Sequence, residues 1–426
     1  MKVLPSNLFS VLQLCAVNDA SKRFLPNLRS LSLWPAIPEL IPFIPSLLSP
    51  RITTIDITFK TSDLPKAMVT SMIVTFSILC PNLEFICLEP LPRDPTITAA
   101  VSRMLLTSNR NTLRRFHVDS PLTEEAREVI YKLPDLCELS VVIEKDTPLP
   151  LVALPNLTEL RVTYDHDSDC LHTFHGATFG KLESIHFRPG SEQVGDFLEA
   201  FKRVALAASV HKTLLELFLN TSCSWNPNYS SLLPFTQLAT LVIGFSCKYG
   251  CSSRVDDDIV TDIARAMPRL EKLHLGEPPC HVPTCVTATG LAVLAHHCPD
   301  LSSLCIHFQA TTLNTQPAVA GIVSYIGTTS LRRNYALMEL EVGHISVSKQ
   351  SVPMIALTLF RIFPSLGYIP DDIGGNWEKV IDTIQQIADR SGKDQSSLYL
   401  RVALVTPPQE PHPRMANTTI LKLNSM

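Results

Sequence analysis

A right-handed α/β solenoid with parallel strands is the fold this sequence predicts, and three observations carry it. A hexamer of the form L-x-x-L-x-L, with Ile, Val or Phe allowed at the leucine positions, begins at Leu28, Ile52, Leu83, Leu113, Leu136, Leu157, Leu182, Leu214, Leu238, Leu270, Leu301 and Leu337. Proline stands two residues ahead of the first leucine at Pro26, Pro81, Pro134, Pro155, Pro268, Pro299 and again at Pro364. Several of the longer intervals carry apolar residues at helical spacing. A strand that alternates sides, then a stop, then a linking segment, repeated along a chain, is the pattern of a leucine-rich-repeat horseshoe. About twelve parallel strands then line its concave face, and the wider helices lie on the convex side.

Residues 1–24 read as a capping segment or an incomplete repeat, with a helix over 7–17. Residues 25–405 form the solenoid. Within each hexamer the leucines face the core and the intervening residues face outward, because side chains alternate along a strand. Proline lacks an amide donor, so it ends the preceding helix and marks the turn into the strand. Met68, Met72, Phe76 and Leu79 make one helical stripe, and Leu291, Leu294 and Cys298 another. Asp256, Asp257 and Asp258 precede Ile259, Ile263 and Met267, placing acidic residues where a helix start favours them. Helices are also expected over 194–210 and 319–326. The short unit from Leu136 to Leu157 has room only for a turn or a 3₁₀ segment. Trp377, Val380, Ile384 and Ile387 form a cap helix over 376–390, and 397–405 alternates like a last strand. Pro407, Pro408, Pro411 and Pro413 mark 406–426 as a disordered tail.

The composition narrows function. Of 426 residues 45% are hydrophobic and 18% charged, and 36 basic against 40 acidic side chains leave a net charge of −4. No overall field draws the chain to nucleic acid or to an anionic membrane. The uncharged apolar stretch from Ala67 to Leu83 is interrupted by Pro81 and reads as a buried helix rather than a span of about 20 apolar residues. Lys2 and the apolar residues after it are broken up by Pro5, Ser6, Asn7 and Gln13, which spoils a signal-peptide core. Cys80 and Cys298 close helices and Cys87 and Cys305 sit in strands, the use of free thiols as small apolar residues in a cytoplasmic or nuclear setting.

The phrases LPNLRSLSLWP (25–35), CPNLEFICLEP (80–90), LPNLTELRVTY (154–164) and MPRLEKLHLGEPP (267–279) resemble F-box/leucine-rich-repeat proteins, especially the large fungal set. TGLAVLAHHCPDLSSLCI (289–306) is similar to the cysteine-containing repeat subtype of that family. Over residues 25 to 390 the resemblance implies a substrate receptor of a cullin–RING ubiquitin ligase, in which repeats hold a protein target and an F-box docks on a Skp-type adaptor. Only 24 residues precede Leu25, fewer than three helices of about 11–12 residues require. Adaptor binding is therefore implied only for a longer product with an F-box upstream. A stand-alone scaffold or decoy is the alternative.

No phosphate loop, H-E-x-x-H helix or G-x-S-x-G elbow appears, so the expectation is a non-catalytic, monomeric protein with no cofactor. Cys247, Cys251, Cys280 and Cys285 with His281 could be combined into a zinc site, but their gaps are not the C-x2-C of structural zinc, and loop cysteines are the reading preferred. His117, His186, His274 and His307 fall on strands mostly too far apart to share an ion. The protein-binding surface is expected on the concave face. Arg115, His117, Glu138, Glu159, Arg161, His186 and Arg188 give a mainly positive stretch; Phe218 and Val242 give an apolar strip; Lys272 and His274 follow. Arginine and buried aromatic anchors suit a protein partner, and arginine suits an acidic or phosphorylated segment.

Overall fold

The computed structural model describes residues 25–36, 38–59, 65–107, 112–143, 153–164, 177–189, 197–222, 228–246, 255–276, 285–308, 333–342, 347–369, 376–390 and 420–424. The chain is a mixed α/β protein with parallel strands, and it divides into two compact units: Met1–Leu182 with Pro411–Met426, and Glu183–Glu410. The sequence reading joins 25–405 in one body; the structure gives the same repeated stacking inside each of two.

In the first unit, β1 (Ser30–Ala36), β2 (Thr54–Phe59), β3 (Phe85–Glu89), β4 (Arg115–Pro121), β5 (Glu138–Ile143) and, after a two-residue β6 (Ala153–Leu154), β7 (Glu159–Tyr164) pair in chain order, all parallel. The middle leucines of the hexamers come into line as Leu31, Ile55, Ile86, Phe116, Leu139 and Leu160. The first leucines are buried without exception in both units, from Leu28 and Ile52 through Leu182 and on to Leu337. Between the strands lie α1 (Ile44–Leu47), α2 (Lys66–Leu79), α3 (Pro95–Thr107) and α4 (Glu124–Ile130). The buried stripe of α2 is Val69, Met72, Ile73 and Phe76, one residue off the predicted Met68 and Leu79, which are half-buried. Thr123 caps α4 by accepting from the Ala126 amide at 3.4 Å, and Glu124 and Glu125 favour its positive end.

One step recurs from hexamer to hexamer. The carbonyl of the second residue accepts the amides of the second and third residues of the next unit: Arg29 from Thr53 and Thr54, Thr53 from Glu84 and Phe85, Glu84 from Arg114 and Arg115, Arg114 from Cys137 and Glu138, Cys137 from Thr158 and Glu159. The second unit repeats it from Glu183 through Leu215, Ala239, Glu271 and Ser302 to Met338. Met338 passes the pattern to Gly367 and Tyr368 behind the buried Leu366, so Pro364 marks one more step beyond the twelve hexamers.

In that second unit β9 (Ser184–Pro189), β10 (Glu216–Ser222), β11 (Thr240–Ser246), β12 (Lys272–Leu275), β13 (Ser303–Ile306) and β14 (Glu339–Glu341) pair in parallel, aligning Ile185, Leu217, Leu241, Leu273, Leu304 and Leu340. The helices are α5 (Phe197–Ala207), α6 (Asp257–Ala266), α7 (Ala288–His297), α8 (Val352–Ile362) and α9 (Trp377–Arg390). Helices cover the leucine side: Phe187 of β9 meets Phe201 of α5 edge-on at 5.5 Å, and Phe201 stacks on Phe235 at 5.2 Å. Asp256 caps α6, and the neighbouring Asp257 carboxylate accepts from the Thr287 amide (2.8 Å) and hydroxyl (2.5 Å) and from the Gly290 amide (3.2 Å) at the start of α7. Cys80 and Cys298 do close α2 and α7, and both are buried.

Of the predicted 406–426 tail only 420–424 lies among the described residues. Residues 420–424 form a strand, Ile420–Asn424, lying parallel to β1 on the side away from β2. The physical reason is that an open sheet edge presents unpaired backbone groups, which this segment satisfies. Elsewhere in the same unit β6 pairs with β8 (Thr178–Phe179), which no pattern announced. The expected helices over 7–17 and 319–326, the strand over 397–405, and Cys247, Cys251, Cys280 and His281 lie outside the described residues; Cys285 is exposed. No helix among the described residues is long and apolar enough to cross a membrane.

Candidate protein-recognition surface

The hexamer has two outward positions, its third and fifth, and strand register turns each into a row. In the first unit the third positions run Ser30, Thr54, Phe85, Arg115, Glu138 and Glu159, and the fifth run Ser32, Asp56, Cys87, His117, Ser140 and Arg161. Five predicted site residues of this unit thus fall on three adjacent strands, β4, β5 and β7. Arg115 Nε lies 3.2 Å from Glu138 Oε1, His117 Nε2 lies 3.2 Å from Glu138 Oε2, and Arg161 Nε donates to Glu159 Oε1 at 2.5 Å. The Arg115 guanidinium also stands 5.9 Å over the Phe85 ring, to which His117 is edge-on at 5.8 Å.

Within the expected positive stretch the arginines are paired. Arg115 and Arg161 are each matched by a glutamate on the same or the neighbouring strand, so their charge is answered locally. Glu138 titrates above the usual carboxylate range: partial burial is the main cause and Glu159 adds repulsion, while Arg115 and Arg161 pull the other way. Partly exposed ion pairs of this kind are worth only about 0.2–1 kcal/mol each, so they order the face more than they stabilise it. Cys87, between Asp56 and His117 in the fifth-position row, has its thiol pushed up by burial and by the nearby Glu89 and Asp56, which keeps it protonated.

In the second unit the fifth positions run His186, Phe218, Val242, His274, Cys305 and Glu341 across six strands. His186 and Phe218 stack face to face, with ring centroids 4.1 Å apart and planes within 4°. The third positions run Ser184, Glu216, Thr240, Lys272, Ser303 and Glu339. Two matching hydrogen-bond chains link the rows. Ser184 Oγ donates to Glu216 Oε2 at 3.0 Å and lies 3.2 Å from His186 Nε2; Ser303 Oγ donates to Glu339 Oε2 at 3.3 Å and lies 3.1 Å from His274 Nε2.

With each hydroxyl hydrogen directed at a carboxylate, each serine oxygen accepts from an imidazole N–H. That order differs from a nucleophilic triad, where the carboxylate orients the base rather than the serine. His274 is pushed down to about 4, chiefly by burial and secondarily by Lys272, so its ring is neutral at pH 7. Arg188 stands further along β9 and is exposed. His307 lies just past β13 and out of the His274 row, and no group of three or more metal-binding side chains occurs among the described residues.

Phe85, Ser184, Glu216, Ser303 and Glu339 belong to these clusters although the sequence reading did not select them. Their signal was present, since each occupies the third hexamer position, and all but Glu339 stand beside a residue that was selected. A scan against protein-family models finds no match to this chain, and a search of curated proteins finds none either.

Proposed function

We propose that this chain is a non-catalytic protein-recognition module, a leucine-rich-repeat solenoid that holds its target against the outward rows of its strands. The observation that carries this reading is the strip formed by His186, Phe218, Val242 and His274. A half-buried aromatic ring stacked on an imidazole and followed by valine is poor material for a purely solvated face and good material for a buried interface anchor. The repeated step from carbonyl to next amides, and the burial of every first leucine, support the solenoid. The resemblance to F-box/leucine-rich-repeat proteins supports a role as the target-holding part of a ubiquitin-ligase receptor, active in the cytoplasm or nucleus, with the adaptor bound only by a product that includes an F-box.

Because Arg115 and Arg161 already face glutamates, an acidic or phosphorylated segment is better received near Arg188 and Lys272, beside the apolar strip. The test is affinity purification from the native cell with the wild type and with a variant carrying Arg188→Glu and Phe218→Ala. Loss of the same partner from a variant with unchanged circular dichroism is the expected result. Retention of that partner would overturn the surface assignment. Recovery of a Skp-type adaptor and a cullin with the full product separates the receptor from a free-standing scaffold.

A further inference from the structure

A strand at a sheet edge exposes a row of N–H and C=O groups that will accept any strand of suitable pattern. In the first unit that edge belongs to β1, and Ile420–Asn424 covers it through five consecutive parallel pairs: Ser30 with Ile420, Leu31 with Leu421, Ser32 with Lys422, Leu33 with Leu423 and Trp34 with Asn424. The register puts Leu421 in line with Leu31, Ile55 and Ile86, and Leu423 in line with Leu33, Ile57 and Leu88. Lys422 is in register with Ser32 and Asp56. The segment therefore repeats the second half of the hexamer, L-x-L, without being a repeat.

What sets it apart is its connection. The other strands of this sheet reach their neighbours across a single repeat, whereas Ile420 is 390 positions from Ser30 (420 minus 30). Residues 391–419 precede it, with prolines at 407, 408, 411 and 413. The pairing is one of backbone register along five residues, which an identical segment from another molecule supplies equally well. We propose that the β1 edge is a strand-docking site, occupied in the monomer by the chain's own 420–424 segment and open, when that segment leaves, to the same segment of a second copy. Tethering gives the internal strand an effective concentration on the order of millimolar, so exchange between copies becomes competitive only in concentrated protein.

The experiment compares the full chain with an L421D/L423D variant, which places charge at the two positions in register with Leu31 and Leu33, by sedimentation over roughly 5–500 µM and by hydrogen exchange. The wild type is expected to form a dimer that grows with concentration, with amides at 30–34 exchanging at least roughly tenfold more slowly than in the variant. The variant is expected to stay monomeric, and a synthetic peptide of residues 414–426 added to it should restore slow exchange at 30–34. Amides of β9 to β13 serve as the folding control. Should the variant not fold, the same peptide in excess must convert the wild-type dimer to monomer. Equal exchange at 30–34 in both proteins, a wild type that is monomeric throughout, or a variant that dimerises as well as the wild type overturns the proposal.

Discussion

Asn334 is the residue on which the second unit depends most visibly. It is buried, its side-chain amide donates to the carbonyls of Cys298 (2.8 Å) and Leu301 (3.2 Å), and its oxygen accepts from the amides of Ala336 (2.7 Å) and Leu337 (2.9 Å). Replacement by leucine takes the partner from the Leu301 carbonyl and from the Ala336 and Leu337 amides in a closed space, while the Cys298 carbonyl keeps the Leu301 amide, a loss of about 3 kcal/mol. Urea denaturation followed by circular dichroism measures it, and a loss under about 1 kcal/mol counts against this account. His274 supplies a second test, in pH. Its ring is held at about 4 against an ordinary 6.5, so the unfolded chain binds the extra proton first as pH falls. Stability should decline from pH 6.5 down to about 4 on this account, and above 6.5 the group contributes nothing to the slope. His274→Gln, which can still donate to Ser303, is expected to flatten that decline; an unchanged slope refutes the assignment.

Helix starts show how elements are fixed to one another. A Cβ on Gly290 would stand 2.5 Å from Asp257 Oδ1 and 3.1 Å from Val286 Cγ1, so the carboxylate that ties α6 to α7 has no room for alanine. Gly290→Ala is expected to destabilise by about 1–2 kcal/mol although alanine is the better helix former. Thermal unfolding checks the sign, and a stabilised variant defeats the argument. The start of α6 was legible from Asp256 to Asp258, because acidic residues before an apolar helical stripe have a local cause. The bridge from Asp257 to Thr287 and Gly290 was not legible, because it joins residues 30 and 33 positions apart whose meeting depends on how two helices pack. For the same reason the outward rows could be listed from the hexamer, whereas the partner each side chain takes, Glu138 for Arg115 or Glu216 for Ser184, follows from rotamers that no periodicity encodes.

At the scale of the whole molecule, the α/β class and parallel pairing were readable because each hexamer's leucines have one side to go to, and a one-residue slip would turn them all outward. The division after Leu182 was not readable, since the hexamer there is as regular as the rest. That division carries its own expectation. In Asn334→Leu, amide exchange should quicken through β12, β13 and β14 while Leu31, Ile55 and Ile86 in the first unit keep their protection. A uniform acceleration across both units would mean that they open as one.

The strand at Ile420–Asn424 also fixes an order of events during synthesis. β2 follows β1 from the ribosome within one repeat, but the strand that covers the other side of β1 is made 390 residues after Ser30 (420 minus 30). At about 5–20 residues per second, that side of β1 waits on the order of 20–80 seconds for this partner. For that interval a nascent chain has an adhesive flank, and crowding of ribosomes on one message is the circumstance in which neighbouring chains would find each other there.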